Sequence, residues 1–439
     1  MNTVLRKVLE RSREAVRPYY LRYLYFPLFP DSRPTHFGDC WNYPAHTISP
    51  DLKLPEGNNR RGPDLLFFPM TDWHTRIQRT QHLARTFGAA GHRCFYLNPH
   101  LGREFPRPYA FSSTPQLNLV ESLIAELHVH LPLEPVFHDR LLTPQENARI
   151  IDALKTLFDA GATKELVQIV SFPLWLEAAQ SIRDQLGFPI VYDCHDVLRG
   201  FRNISPEITN KEADLFEASD LVIFSSQELL DENVAQLPQL KAKSIIVRNA
   251  VDETLLRQGE AHRKTARFAG ANSVTIGYVG ALDFWFDVDA VELAARSHPE
   301  WEFLLIGRVE DKRILRLDSL PNVELIGEVP HSALHKYMPT FRAALIPFER
   351  NELTIGTNPI KLYEYFSYGL PVVSTALPEM EEFGEVLYLY KDCAGFLEQL
   401  EAAVKEDNPG LRQNRIDIAH RESWSARVSQ LSKAFESLF

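Results

Sequence analysis

The sequence predicts an α/β protein with two Rossmann-like, doubly wound domains facing a cleft. Three observations carry this. Short apolar runs alternate with helical stretches along most of the chain. Several of those runs show little period-two alternation, as parallel strands covered on both faces do. A polar, charged interval then divides the alternation into two series.

The first series spans 64–251. Its expected strands are DLLFFP (64–69), RCFYLN (93–98), LHVHLP (127–132), LVQIVSF (166–172), PIVYDCHD (189–196), LVIFSS (221–226) and KSIIVRN (243–249). Between them, IQRTQHLARTFGAAG and NARIIDALKTLFDAG read as helices closed by Gly91 and Gly161. Residues 252–272, DETLLRQGEAHRKTARFAGAN, read as a linker. The second series, 273–408, offers strands at 274–281, 301–307, 323–329, 343–348, 371–375 and 385–390. Helices are expected at about 287–298, 331–341, 359–369 and 393–407, and one or two more close the chain over 409–439. Residues 1–63 form an N-terminal extension.

Composition excludes several classes. At 439 residues the chain exceeds one ordinary core, and 45% hydrophobic with 24% charged residues describes a soluble globular protein. A net charge of −11 argues against general nucleic-acid binding. Cys40, Cys94, Cys194 and Cys393 form no CxxC pair, so neither a zinc site nor a disulfide framework is indicated. No transmembrane run or signal peptide is read, and a cytoplasmic location is expected. Residues 1–30 carry six Arg or Lys against two Glu, a local +4 against −15 elsewhere. A basic amphipathic helix there would lie peripherally on the inner face of the plasma membrane; the alternative is a helix packed on its own domain.

The stretch TNPIKLYEYFSYGLPVVST (357–375) carries the most chemistry. Asn358 reads as an N-cap, Pro359 as the first helical residue, and Gly369 with Pro371 as the stop. The helix keeps only two charges, Lys361 and Glu364, three apart on one face. Free N–H groups at the helix mouth, where Thr357 and Asn358 lie, favour a phosphate. Lys361 adds a cation, and Glu364 a carboxylate able to accept two ribose hydroxyls. The alternative is a surface ion pair worth a few tenths of a kcal/mol, on the order of 0.3. Two further strand ends, Gly280 and Gly307, would let backbone approach a ligand, and Arg308 follows directly as a further phosphate contact.

The motifs IGYVGALDFWFDVDAVELAA, LLIGRV, VELIGEVP, ALIPF and TNPIKLYEYFSYGLPVVST are similar to the donor domain of GT-B fold glycosyltransferases. The closest resemblance is to glycosyltransferase family 4 and related enzymes of bacterial envelope and exopolysaccharide synthesis. TDWHTRIQRTQHLARTFGAAGHRCFYLNP, IVYDCHD, SDLVIFSSQELL and IIVRNAVDETL follow the family's order, so the likeness covers about 64–405. It implies a UDP- or GDP-sugar donor on the second domain, a lipid-linked or saccharide acceptor on the first, and no cofactor. Glu364 matches the second, ribose-binding Glu of the family's Glu-x7-Glu motif. The first Glu is replaced by Gly356, and the Arg and Lys expected after the first donor-domain strand are missing from GALDFWFD. Arg308 and Lys361 become their substitutes.

Catalysis is expected near PIVYDCHDV, where Asp196 or His195 would act as general base if the reaction inverts; with retention, His195 would orient the donor sugar. The alternative is that Asp193 and Asp196 cap the following turn. Asp72 is a second base candidate, or else a cap for a helix beginning near Thr75. Trp73 and His74 follow the first strand, and Arg76 and Arg79 would meet an acceptor phosphate or form a charged face. The string DVD at Asp287 and Asp289 reads as a helix start rather than a metal site, and no metal is expected. GxGxxG, GxSxG, HExxH and P-loop motifs are absent from the sequence. The sequence-level function is thus a metal-independent hexosyltransferase of polysaccharide synthesis. A nucleotide-sugar epimerase of the same fold and a non-catalytic nucleotide-sugar-binding subunit are the alternatives.

Overall fold

The computed structural model describes residues 45–49, 52, 54, 61–73, 77–99, 115–121, 123–129, 131, 138–265 and 274–439. The basic segment 1–30, His74, Arg76 and Cys40 lie outside the described residues. The chain divides into two compact units. The first holds residues up to Tyr192 with Asn203–Asp220, and the second holds Asp193–Arg202 with Leu221–Phe439.

In the first unit the strands are β1 (Ala45–Thr47), β2 (Asp64–Phe68), β3 (Cys94–Leu97), β4 (Gln116–Glu121), β5 (Ile124–His128), β6 (Leu166–Val170) and β7 (Ile190–Cys194), whose last two residues belong to the second unit. Their spatial order is β1-β4-β5-β3-β2-β6-β7. The pairs from β5 to β7 are parallel, and β4 runs antiparallel to both neighbours. β2, β3, β6 and β7 are buried along their whole length, which explains their unbroken apolar runs. Helix α1 (Arg79–Ala90) stops at Gly91, whose φ of 102° is left-handed, and α2 (Pro144–Ala160) stops at Gly161. Helices α3 (Leu176–Leu186) and α4 (Glu212–Ala218) complete the α/β alternation.

Two strands escape the sequence pattern, and a third is displaced. β1 and β4 were not expected, and β5 lies at 124–128 rather than 127–132. For β4 and β5 the reason is a buried polar cluster. Asn98 donates to Glu126 at 2.9 Å, His128 lies 3.1 Å from the other Glu126 oxygen, and Asn118 Nδ2 lies 3.3 Å from His128. Hydrogen bonding replaces apolar side chains on this inward face, which removes the signal that periodicity detects.

In the second unit β8 (Leu221–Phe224) pairs in parallel with β9 (Ser244–Ile246). A six-stranded parallel sheet follows: β10 (Val274–Val279), β11 (Trp301–Ile306), β12 (Val323–Gly327), β13 (Ala343–Ile346), β14 (Val372–Thr375) and β15 (Tyr388–Tyr390). Its order, β12-β11-β10-β13-β14-β15, is that of a dinucleotide-binding half-pair, with its switch point between β10 and β13. Helices α5 (Gln227–Gln236), α6 (Glu253–Thr265), α7 (Val288–Ser297), α8 (Ile360–Ser367), α9 (Cys393–Lys405), α10 (Pro409–Arg421) and α11 (Trp424–Phe435) surround these strands. The stretch 331–341 forms two 3-10 turns rather than one helix. Asp287 caps α7, accepting from the Ala290 N–H at 3.0 Å, as its position before a helix predicts.

The division differs from the expected 64–251 and 273–408. Residues 193–202 and 221–251 join the second unit because hydrogen bonds hold them there. Ser226 Oγ donates to Gly356 O at 2.7 Å, and the Gln227 N–H donates to Glu379 at 2.8 Å. The closing helices also join it, since Val251 N–H donates to Glu422 O and Trp424 N–H to Val251 O. Most of the expected linker is helix α6, which buries Leu255 and Leu256.

α6 lies so close to α8 that a Cβ at Gly259 would stand 2.4 Å from Ser367 O. Gly→Ala within a helix ordinarily stabilises by about 0.5–1 kcal/mol. Gly259→Ala is expected to do the reverse, costing about 1–3 kcal/mol in chemical denaturation, because backbone atoms must move apart.

Candidate functional site

Helix α8 begins one residue later than the sequence suggests. Pro359, with ψ 121°, is its N-cap, and Asn358 stands just outside. Its register is fixed from within the sheet: the Val279 N–H at the end of β10 donates to Tyr365 Oη at 2.8 Å. Leu362, Tyr363, Tyr365 and Phe366 are buried, so the apolar residues of the motif face the core. Lys361 and Glu364 remain on the other face near the N-terminal end.

Lys361 is half-buried. Its ammonium lies 4.8 Å from the Phe348 ring centroid, just past β13, and 5.6 Å from that of Tyr278 on β10. Desolvation pulls its pKa down to about 8, against an opposing pull from Glu364. Gly280 ends β10 beside it, and a Cβ there would stand 3.0 Å from Lys361 Cε and 3.2 Å from Nζ. Gly307, at φ 152°, ends β11, where a Cβ would fall 1.8 Å from Gly280 O. Lys361 therefore sits at the switch point between β10 and β13, beside the carboxyl ends of the strands, where such sheets bind ligands.

Glu364 is buried, and its Oε1 accepts a hydrogen bond from His331 Nε2 at 2.9 Å. His331 opens the turn after β12, and Gly327 O at the end of that strand accepts from the Gly307 N–H at 2.8 Å. Sequence reasoning missed His331. The available signal was its position: a polar residue just past a strand end, like Gly280 and Gly307.

The remaining donor-side candidates divide. Thr357 is half-buried, its N–H donating to Thr354 O at 3.3 Å. Arg308 is exposed and pairs with Glu310 at 3.0 Å. Asn358 is buried in a network: Oδ1 accepts from the Asn249 N–H at 3.0 Å, and Nδ2 donates to Glu379 at 2.9 Å and Tyr363 Oη at 3.1 Å. Its side chain thus ties Asn249 to the helix entry instead of capping the helix. Gly356 explains the missing acid. A Cβ there would stand 2.7 Å from Val197 Cγ2, so a glutamate has no room without moving that loop.

At the end of β7, His195 lies between two carboxylates. Its Nδ1 donates to Asp193 O at 2.9 Å, with Asp193 Oδ2 at 3.6 Å, and its Nε2 lies 3.7 Å from Asp196 Oδ2. With the proton on Nδ1, Nε2 is the nitrogen whose lone pair is left to accept one. This loop continues into Val197 and Gly200, which pack on Gly356 and Leu353. His195 and Lys361 are thereby connected through one packed loop pair inside the second unit.

In the first unit, Asp72, Trp73 and Arg79 are all buried. Helix α1 begins at Arg79 with Gln78 as N-cap, so Asp72 is not its cap. Instead, Asp72 O accepts from Gln81 Nε2 at 2.7 Å. Trp73 packs edge-on against Tyr96 at 5.1 Å, with the Arg85 guanidinium 5.2 Å from its ring. Burial of Arg79 rules out the exposed charged face considered for it.

The class defined by this architecture is the GT-B glycosyltransferase fold, with two Rossmann-like domains. HepE of Anabaena in complex with UDP-glucose superposes with a TM-score of 0.59 at 14% identity, covering 86% of this chain and 100% of that one. The catalytic domain of starch synthase IV from Arabidopsis thaliana, bound to ADP and acarbose, gives 0.61 at 12% identity, covering 86% and 99%. An α,α-trehalose-phosphate synthase from Burkholderia xenovorans gives 0.61 at 13%, covering 85% and 100%.

More particularly, residues 273–406 match the family described as glycosyl transferases group 1. A putative teichuronic acid biosynthesis glycosyltransferase, TuaH of Bacillus subtilis, is 24% identical over 265 residues. That match covers 56% of this chain and 66% of TuaH.

The buried Glu379 carboxylate also accepts from Arg248 Nε at 2.7 Å, so it holds three segments together. Glu379→Ala is expected to destabilise the chain by about 3–5 kcal/mol in denaturant titration, since it leaves buried donors unanswered. Replacing the exposed Arg308 by Ala should change stability by less than about 0.5 kcal/mol.

Proposed function

We propose that the chain is a glycosyltransferase that moves a hexose from a UDP- or GDP-sugar to a lipid-linked or saccharide acceptor in envelope polysaccharide synthesis. The observation that carries this reading is the placement of Lys361 and Glu364 on the first turns of α8, at the switch point of the six-stranded sheet. A diphosphate at the helix mouth would meet free N–H groups and the Lys361 ammonium. The ribose hydroxyls would donate to Glu364. Loss of the nucleoside diphosphate builds negative charge on the leaving oxygen, and these same groups would stabilise it without a metal ion. His195, flanked by Asp193 and Asp196, would take the acceptor hydroxyl's proton if configuration inverts, or orient the sugar if it is retained.

The likeness of residues 273–406 to glycosyl transferases group 1 supports the donor assignment, and the likeness to TuaH supports the polysaccharide class. Among the described residues no helix is long and apolar enough to cross a membrane. Cytoplasmic placement with peripheral contact through residues 1–30 belongs to the same proposal.

Calorimetric titration with UDP, GDP and their hexose conjugates tests it. Lys361→Ala and Glu364→Ala should each weaken nucleotide binding by about 10- to 100-fold, since both remove charge-assisted contacts. Retained affinity in both would reject the donor site. The lowered Lys361 pKa adds a pH signature. Protonated lysine binds the diphosphate, and bound anion raises its pKa. Affinity should therefore be full below pH about 8 and fall as pH rises beyond it. Lys361→Ala should remove that fall.

A further inference from the structure

We propose that His331 is a positioning residue for the nucleotide's ribose, acting through Glu364 and setting the preference for ribose over deoxyribose. This deepens the donor-site reading above and rests on it.

Glu364 reaches the site on a helical side chain whose terminal torsion is broad, so its carboxylate plane needs an external fix. His331 Nε2, 2.9 Å from Glu364 Oε1, supplies it. The histidine is itself well placed to do so. It follows Pro330, whose φ of −58° starts the turn, and belongs to the 3-10 segment His331–Lys336. The strand that leads into that turn is held at its end, because the Gly307 N–H donates to Gly327 O at 2.8 Å. Gly307 in turn abuts Gly280, beside Lys361. Lys361, Gly280, Gly307 and the end of β12 thus lie side by side, and His331 follows that strand end four residues later.

The chemistry fits a diol. An ionised carboxylate offers about four lone-pair sites, so it can hold His331 and still accept two hydroxyl donors. A vicinal 2′,3′-diol places its donors at a fixed spacing, and two hydrogen bonds form together only if the carboxylate plane is preset. A nucleotide with one hydroxyl needs no such presetting, since a single hydrogen bond tolerates rotation. Removing His331 should therefore cost the ribonucleotide more than the deoxynucleotide.

The test measures Kd by calorimetry for UDP, GDP and their 2′-deoxy forms on the full chain, with His331→Ala and His331→Gln. The wild type should prefer the ribo form by roughly tenfold. His331→Ala should weaken the ribo form by about five- to tenfold and the deoxy form by less than about twofold, collapsing the preference. Gln, which can donate from its own Nε2, should restore most of the preference. Equal losses for both forms would mean a merely structural histidine, and unchanged binding would mean a pair that takes no part in binding; either overturns the proposal. If binding depends on Lys361 and Glu364 yet ignores His331, the donor site stands and this role falls. If the wild type binds neither UDP nor GDP, both fall together.

Discussion

Lys361 keeps its ammonium between the rings of Phe348 and Tyr278, in a position where burial holds its pKa down to about 8. A lysine in water would carry no such penalty, and ring faces answer only part of it, on the order of 1 kcal/mol. Glu364 meets some of it through space, but its own carboxylate is engaged by His331. The surrounding geometry exists to hold this cation: Gly280 has no side chain to displace it, and Gly307 has none to displace Gly280. Left-handed backbone at both strand ends is thus a condition of the site.

The helix that bears Lys361 is itself held from its far side. Asn358 and Glu379 fix the entry to α8 by bonding Asn249, Tyr363, Arg248 and the start of α5. These are buried polar contacts, which contribute direction more than net energy. The same set binds the β8–β9 segment to the six-stranded sheet, and that segment bonds the His195 loop in turn, since Ser225 Oγ donates to His195 O at 2.9 Å. The proposed general base and the proposed phosphate-binding cation therefore belong to one compact unit, although the chain reaches them more than 160 residues apart, at 195 and 361.

Much of this was legible in the sequence, for reasons that differ by residue. The thirteen expected strands depend on apolar runs and glycine stops, and both survive as signals because a parallel sheet buries whole strands. Lys361 and Glu364 stood out as the only charges on an apolar helix. The polar strand β4 was invisible, because Asn98, Asn118, Glu126 and His128 bury themselves by pairing with one another. Helix α6 looked like a linker, since two buried leucines in a charged stretch give a weak period. Asn358 was read as a cap because local sequence shows what a residue type usually does. Its actual partners lie more than 100 positions away on one side, at Asn249.

Gly356 joins these threads. In the resemblance to GT-B enzymes this position belongs to a glutamate, which this chain replaces with glycine. The packing gives a physical account of the replacement. Val197, two residues beyond His195, closes on Gly356 so tightly that a Cβ would stand 2.7 Å from its methyl group. Ser226 bonds the Gly356 carbonyl from the other side. The loop carrying His195 thus occupies the volume a larger residue would need. A glutamate here would push that loop away from α8, so the missing acid and the close packing of His195's loop are one structural choice. In the proposed donor site, the contacts that the acid would have made would then fall to Lys361, beside Gly280, and to Glu364, bonded to His331.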